Sequence, residues 1–97
     1  MWACAIRIEL RIPNVASLKG KRAVLRPHIE RLRRMASLSV SEVDHHDLWQ
    51  RAAIGIAAVA PDGAALETII GKVRRYFDGQ FDIEMVEMTV SYLEDSP

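Results

Sequence analysis

The stretch Trp2-Ala3-Cys4-Ala5-Ile6-Arg7-Ile8-Glu9-Leu10-Arg11-Ile12 decides the fold of this 97-residue chain. Its even positions are apolar, while Arg7, Glu9 and Arg11 fall between them. A period of two turns successive side chains to opposite faces, so the stretch reads as a half-buried strand with one core face and one charged face. The same alternation interrupts the apolar run that a signal peptide needs, and no later segment approaches a membrane span.

Beyond this strand, Pro13-Asn14 breaks the chain direction and Ser17 offers an N-cap oxygen. Leu18, Leu25, Ile29, Leu32 and Ala36 then recur at helical spacing. Pro27 lies inside that pattern, where it removes a backbone donor and crowds the preceding turn, which predicts a kink or a late helix start. Leu38 to Val43 forms a short second strand, and the break in alternation at Val40 and Val43 is the pattern of a bulge near its end. Ala52 to Val59 is apolar on both faces, as an interior strand would be, and Gly55 lets another group approach its backbone closely. Ala60-Pro61-Asp62-Gly63 turns into a second helix capped by Asp62 and ended by Gly79, with Leu66, Ile69, Ile70, Val73 and Phe77 as its apolar stripe. Val86, Met88, Val90 and Tyr92 give a fourth strand, with Glu87, Thr89 and Ser91 on its opposite face.

The order strand, helix, strand, strand, helix, strand is the split βαβ arrangement. It predicts an α+β, ferredoxin-like sandwich: one domain over residues 1–97, with two helices on one face of a four-stranded antiparallel sheet. Short right-handed crossovers then bring the loop before helix one, the 44–51 connection and the turn after helix two to one pole.

An apolar fraction of 49% against 27% charged residues argues for a packed globular chain over disorder. Cys4 is the single cysteine, which excludes an internal disulfide framework and a thiol-pair metal or redox site, and a cytoplasmic location is expected. Net charge is zero but uneven: residues 1–37 carry nine Lys/Arg against two Asp/Glu, and residues 38–97 carry four against eleven. Such a split makes either a basic face for an anionic partner or two halves that neutralise each other on folding.

Two segments carry candidate chemistry. The start of helix one combines unpaired backbone donors with Ser17, Lys19, Lys21 and Arg22, a seat for an anion such as phosphate. The competing structural role has the lysines solvated and Arg22 folded inward onto an acid, with Arg31, Arg33 and Arg34 on a solvent face. The second segment, Asp44-His45-His46-Asp47-Leu48-Trp49-Gln50-Arg51, gathers acids, imidazoles, an indole, an amide and a guanidinium in one connection. Consecutive residues of an extended segment point to opposite faces, so at most two of the first four converge, and no metal is assigned. No serine or reactive cysteine nucleophile stands beside His45 or His46 in a recognisable motif, so no catalytic residue and no cofactor is assigned. Trp49 offers either a base-stacking ring or an anchor for the loop, and Gln50 and Arg51 either bind a partner or tie the loop down. The open sheet face, with Arg7, Glu9, Arg11, Glu87, Thr89 and Ser91, lacks the aromatic platform of RNA-recognition sheets. It suits cross-strand salt pairs, or a dimer formed by stacking or edge pairing.

Ser17-Leu18-Lys19, Lys21-Arg22, Val40-Ser41-Glu42-Val43 and the Asp44 to Arg51 run together resemble the YlxP-like family of small bacterial proteins, a domain of unknown function, over nearly the whole chain. The resemblance implies a ferredoxin-like fold, a bacterial origin and no established activity. Family members are often encoded near translation and ribosome-maturation factors, which implies RNA or ribosome contact. The family motif commonly carries Gln where His46 stands, so His46 is not a required ligand. The leading expectation is a noncatalytic RNA- or ribosome-associated module without membrane contact that uses Ser17, Lys19, Lys21, Arg22, His45, Asp47, Trp49, Gln50 and Arg51. The alternatives are a homodimeric interaction domain and a small metal-dependent hydrolase centred on Asp44, His45 and Asp47.

Overall fold

A computed structural model of the protein describes residues 1–94. It contains β1 (Trp2–Arg11), α1 (Leu18–Met35), β2 (Ser39–Asp44), β3 (Arg51–Ala60), α2 (Gly63–Asp78) and β4 (Glu84–Glu94). The strands form one sheet in the order β2-β3-β1-β4 with every neighbour antiparallel, so the fold is the ferredoxin-like α+β arrangement. Strand β1 is central and pairs with both β3 and β4. Its side chains Ile6, Ile8 and Leu10 are buried with Leu25 and Leu32 of α1 and Leu66, Ile70, Val73 and Phe77 of α2 in one core.

Both helices start where capping chemistry places them. The Ser17 hydroxyl accepts from the Gly20 amide at 3.0 Å, and the Asp62 carboxylate accepts from the Ala65 amide at 2.8 Å. Helix α1 runs unbroken from Leu18 through Pro27 to Met35, so the late start that Pro27 suggested does not occur. Pro27 and Ala23 are both exposed, and the carbonyl that Pro27 cannot bond therefore lies on the wet side of the helix. The stripe that α1 buries is Lys21, Leu25, His28 and Leu32, with Ile29 and Ala36 packed at its margin.

Two polar residues in that stripe were not expected there. The His28 ring is 1% exposed and bridges α1 to the end of α2, with Nδ1 2.6 Å from the Tyr76 hydroxyl and Nε2 2.8 Å from Asp82 Oδ1. The neutral tautomer that donates from Nε2 to the carboxylate leaves Nδ1 to accept from Tyr76, so both ring nitrogens are satisfied. Lys21 belongs to the loop pole described below.

Strand β3 is apolar on both faces, yet only one face lies under helices, and Ala57 and Val59 are exposed on the other. The fourth strand also departs from strict alternation. A register shift at Glu9/Leu10 places Met85 opposite Leu10 and turns Val86 outward to 58% exposure, leaving Met85, Met88 and Val90 against the core. A second shift, between Glu42 and Asp44, is the bulge expected near Val43. It folds Val43 over Gly55, so that a Cβ at Gly55 would lie 2.7 Å from Val43 Cγ1. The close approach that Gly55 permits is thus made by the bulged neighbour.

Gly55→Ala is accordingly expected to lower the unfolding free energy by about 1–2 kcal/mol, the usual cost of overpacking. Adding Val43→Ala should restore most of it. Urea titration of the single and double variants measures both effects.

Candidate functional site

The chain reverses three times at one end of the sheet: between β1 and α1, between β2 and β3, and between α2 and β4. Lys21 fastens this pole from beneath. Helical spacing puts it on the same stripe as Leu25 and His28, so its stem lies in apolar surroundings and its residue is 2% exposed. The ammonium donates to the His45 carbonyl at 2.7 Å and pairs with Glu42 Oε2 at 2.8 Å. The pair with Glu42 is electrostatic rather than aligned, since that oxygen is buried without a properly directed donor. The inward cation is therefore Lys21, while Arg22, one residue and about 100° further round the helix, is exposed.

His45 is the hub above this ammonium. Its backbone is left-handed, with φ of 60°, a conformation that Asn, Asp and His tolerate better than most residues. Asp44 Oδ1 accepts from the His45 amide at 2.8 Å, and the His45 carbonyl also accepts from the Leu48 amide at 3.0 Å, closing a turn. The ring Nε2 lies 3.0 Å from Glu9 Oε2. Arg7 completes the cluster with bonds to Glu9 Oε1 at 2.8 Å and Asp44 Oδ2 at 3.0 Å, and Arg51 reaches Glu9 Oε2 at 3.4 Å.

The electrostatics follow from these bonds. Burial by itself pushes the Glu9 carboxyl up, but hydrogen bonds from Arg7 and His45 outweigh it and hold the group below the usual carboxylate range. The His45 amide first, and Arg7 second, hold Asp44 low as well. The same two carboxylates hold the Arg7 guanidinium high. Each charge in the cluster is thus committed to a neighbour within it. Among the described residues, no three His, Cys, Asp or Glu side chains come together in a way that could hold a metal ion. Cys4 is buried, and that burial raises its thiol above the ordinary value, which favours the unreactive protonated form.

The remaining candidate residues divide between ties and free groups. The Gln50 carbonyl accepts from the Ile12 amide at 2.8 Å, and its side-chain amide donates to the Val15 carbonyl at 3.2 Å, lacing the β2–β3 loop to the β1–α1 loop. Ser17 is spent as the cap of α1. Lys19, Arg22 and Asp47 are exposed, and no ion pair forms at any of the three among the described residues. Trp49 is 50% exposed on an open depression of about 500 Å³ lined by residues 47–51. Phe81, fully exposed in the α2–β4 turn at the same pole, belongs to no sequence pattern that marks it as a site residue. Nor does a local pattern mark Arg7, Glu9 and Glu42 as pole residues, because strand register brings the first two to Asp44 and His45, and the packing of α1 brings Lys21 to the third.

Charge is sorted by layer. The two helices carry ten Lys/Arg against three Asp/Glu, and the rest of the chain carries three against ten. Arg7, Arg11 and Arg51 of the sheet all reach carboxylates. On the helices, Lys21 pairs with Glu42 and Arg33 with Glu30, whereas Lys19, Arg22, Arg26, Arg31, Arg34, Lys72, Arg74 and Arg75 make no ion pair among the described residues.

A family model described as "Protein of unknown function (DUF503)" matches residues 4–90. The "Uncharacterized protein YlxP" of Bacillus subtilis (strain 168) is 37% identical over 76 residues, which cover 78% of this chain and 83% of that protein.

Two outcomes follow from the pole. Lys21→Met should cost about 2–3 kcal/mol in urea unfolding, because Glu42 keeps its charge but loses its counter-ion while retaining some water. Replacing Glu42 by Leu in the same chain should recover part of this loss. Glu9 and Asp44 have folded values below their unfolded ones, so their stabilisation is complete above the unfolded carboxylate range near pH 4 and is lost as pH falls through the lower folded values. Carboxyl NMR titration should place both resonances below the reference range, and Arg7→Gln should move both midpoints upward.

Proposed function

We propose that this chain, which belongs to the DUF503 family of proteins of unknown function, works as a noncatalytic RNA-binding module whose phosphate-contacting surface is the helical layer. One observation carries the reading: sheet cations are matched to carboxylates, while among the described residues eight helix cations are not. A matched cation has little charge left to offer a phosphate, whereas an unmatched exposed one gains by releasing the counterions condensed on a nucleic acid. Lys19, Arg22 and Arg26 follow one another at spacings of three and four, so they line one face of α1, and Lys72 and Arg75 are likewise three apart on α2. The choice of RNA over other polyanions rests on the family resemblance and its implied translation context.

On this reading the expected site residues take two roles. Lys19 and Arg22 contact phosphate and Trp49 offers an exposed ring for stacking. Ser17, Lys21, His45, Gln50 and Arg51 hold the pole in shape, and Asp47 caps its outer edge with a charge that discourages phosphate close by. A second reading, an interaction domain that works as a homodimer, is favoured by a separate observation. The open face of the sheet carries many small side chains, and its cations are already paired.

Fluorescence anisotropy with labelled structured RNA at several salt concentrations tests the first reading. Wild type should bind, with affinity falling as salt rises. A Lys19→Ala/Arg22→Ala/Arg26→Ala variant should bind more weakly with a salt slope shallower by about 2–3, roughly one per lost phosphate contact. Arg11→Ala, which removes a cation already paired with Glu84, should change neither. No binding by wild type at low salt overturns the proposal.

A further inference from the structure

Strand register sets the open-face residues of the two central strands side by side. Ala3 lies beside Val59, Ala5 beside Ala57, and Arg7 beside Gly55. Bulk on one strand therefore coincides with its lack on the other: Val59 is large where Ala3 is small, and Arg7 is long where Gly55 has no side chain and is covered by Val43 of β2. Ser39 and Ser91 flank the middle level with further small groups. Together these residues leave a shallow concavity of about 400 Å³ in the middle of the face. Towards the pole, the charges of Arg7, Glu9, Asp44 and Arg51 already compensate one another, and Arg11 is paired with Glu84. The face thus has apolar relief without the surplus cations that would draw in a nucleic acid.

We propose that this face receives a second copy of the chain, stacked sheet to sheet about a two-fold axis that runs parallel to the strands between β1 and β3. The proposal rests on the homodimer reading above and adds its interface. The operation lays β1 of one copy over β3 of the other at the same level, so large meets small. Val59 then covers the second copy's Ala3, Ala5 meets the second copy's Ala57, and the stem of Arg7 lies against the Val43 methyls that cover the second copy's Gly55. An axis across the strands would instead press Val59 and Leu93 of one copy onto the charged rows of the other. A strand-parallel axis keeps compensated charges at one end and apolar side chains at the other, as aligned sheet packing requires.

The area fits an association of moderate strength. Strands of ten residues, in a sheet four strands wide, project roughly 600 Å² per copy at ordinary strand spacings, or about 1,200 Å² for the pair. That is the lower bound for stable interfaces, so the dimer should dissociate on dilution. Stacking on this face leaves both basic helical layers outward, on opposite sides of the pair.

Sedimentation velocity of the full chain over a wide concentration range is the test. Wild type should move from 10.9 kDa towards twice that mass as concentration rises. Ala57→Glu, and separately Ser91→Glu, should stay at the monomer mass throughout while keeping the wild-type circular dichroism spectrum. Arg26→Glu on the helical layer should associate as wild type does. Mixing an Ala5→Cys protein with an Ala57→Cys protein under mild oxidation should give the mixed disulfide as the main cross-linked product. A wild type that remains at the monomer mass at every concentration removes the homodimer reading itself. A dimer that ignores both glutamate variants and yields no mixed cross-link keeps that reading and overturns this interface.

Discussion

Strand β1 is hydrogen-bonded along its whole length on both sides, to β3 and to β4, and this position constrains everything else. A strand in the middle of a sheet fixes the register of both neighbours, so its alternation assigns each of their side chains to the core or to the open face. Ile6, Ile8 and Leu10 select the side on which the helices must lie, because only there can their apolar stripes be buried. Arg7 and Glu9 are by the same rule placed on the open side, where their side chains reach across β3 to the end of β2 and the loop after it. The polar cluster at the pole is thus a consequence of the strand that builds the core.

The second constraint is the Lys21 ammonium. A buried cation is costly unless a counter-charge and a hydrogen-bond acceptor meet it, and here Glu42 and the His45 carbonyl do so from β2 and the loop that follows it. This joins the first turn of α1 to a loop whose backbone is left-handed at His45, and gives that unusual conformation a reason to persist. The loop is then held from three directions: below by Lys21, from the sheet by Glu9 and Arg7, and from the β1–α1 connection by Gln50. The side chains of Trp49 and Leu48 are left outside this network, about half exposed.

Charge is sorted between the two layers. A split that runs along the chain as a basic first part and an acidic second part becomes, on folding, a basic helical layer over an acidic sheet and its connections. The cause is the distribution of sequence among the elements, since α1 alone supplies seven of the thirteen Lys/Arg. Intramolecular pairing then matches the sheet cations and, among the described residues, leaves most helix cations without a carboxylate partner, so the two faces of the molecule differ in the charge they present.

Periodicity in the sequence determined the elements, their order, the antiparallel ferredoxin-like sheet, the helix caps at Ser17 and Asp62, the bulge near Val43 and the close approach at Gly55. The elements, the caps and the bulge depend on residues adjacent or a few positions apart, where side-chain direction follows from backbone geometry alone. The position of the pole was also legible, because crossover handedness fixes which loops share an end. What only the tertiary structure decided was which groups meet there. Lys21 and Arg22 differ by one helical step, and only the packing of α1 shows that the lysine enters the core. His28, far from any other polar motif in the sequence, finds Tyr76 and Asp82 because α1 and α2 run side by side. Glu9 finds His45 and Arg7 finds Asp44 across 36 and 37 residues, through strand register. Such pairings depend on distances between elements, which a local pattern of apolar and polar residues does not encode.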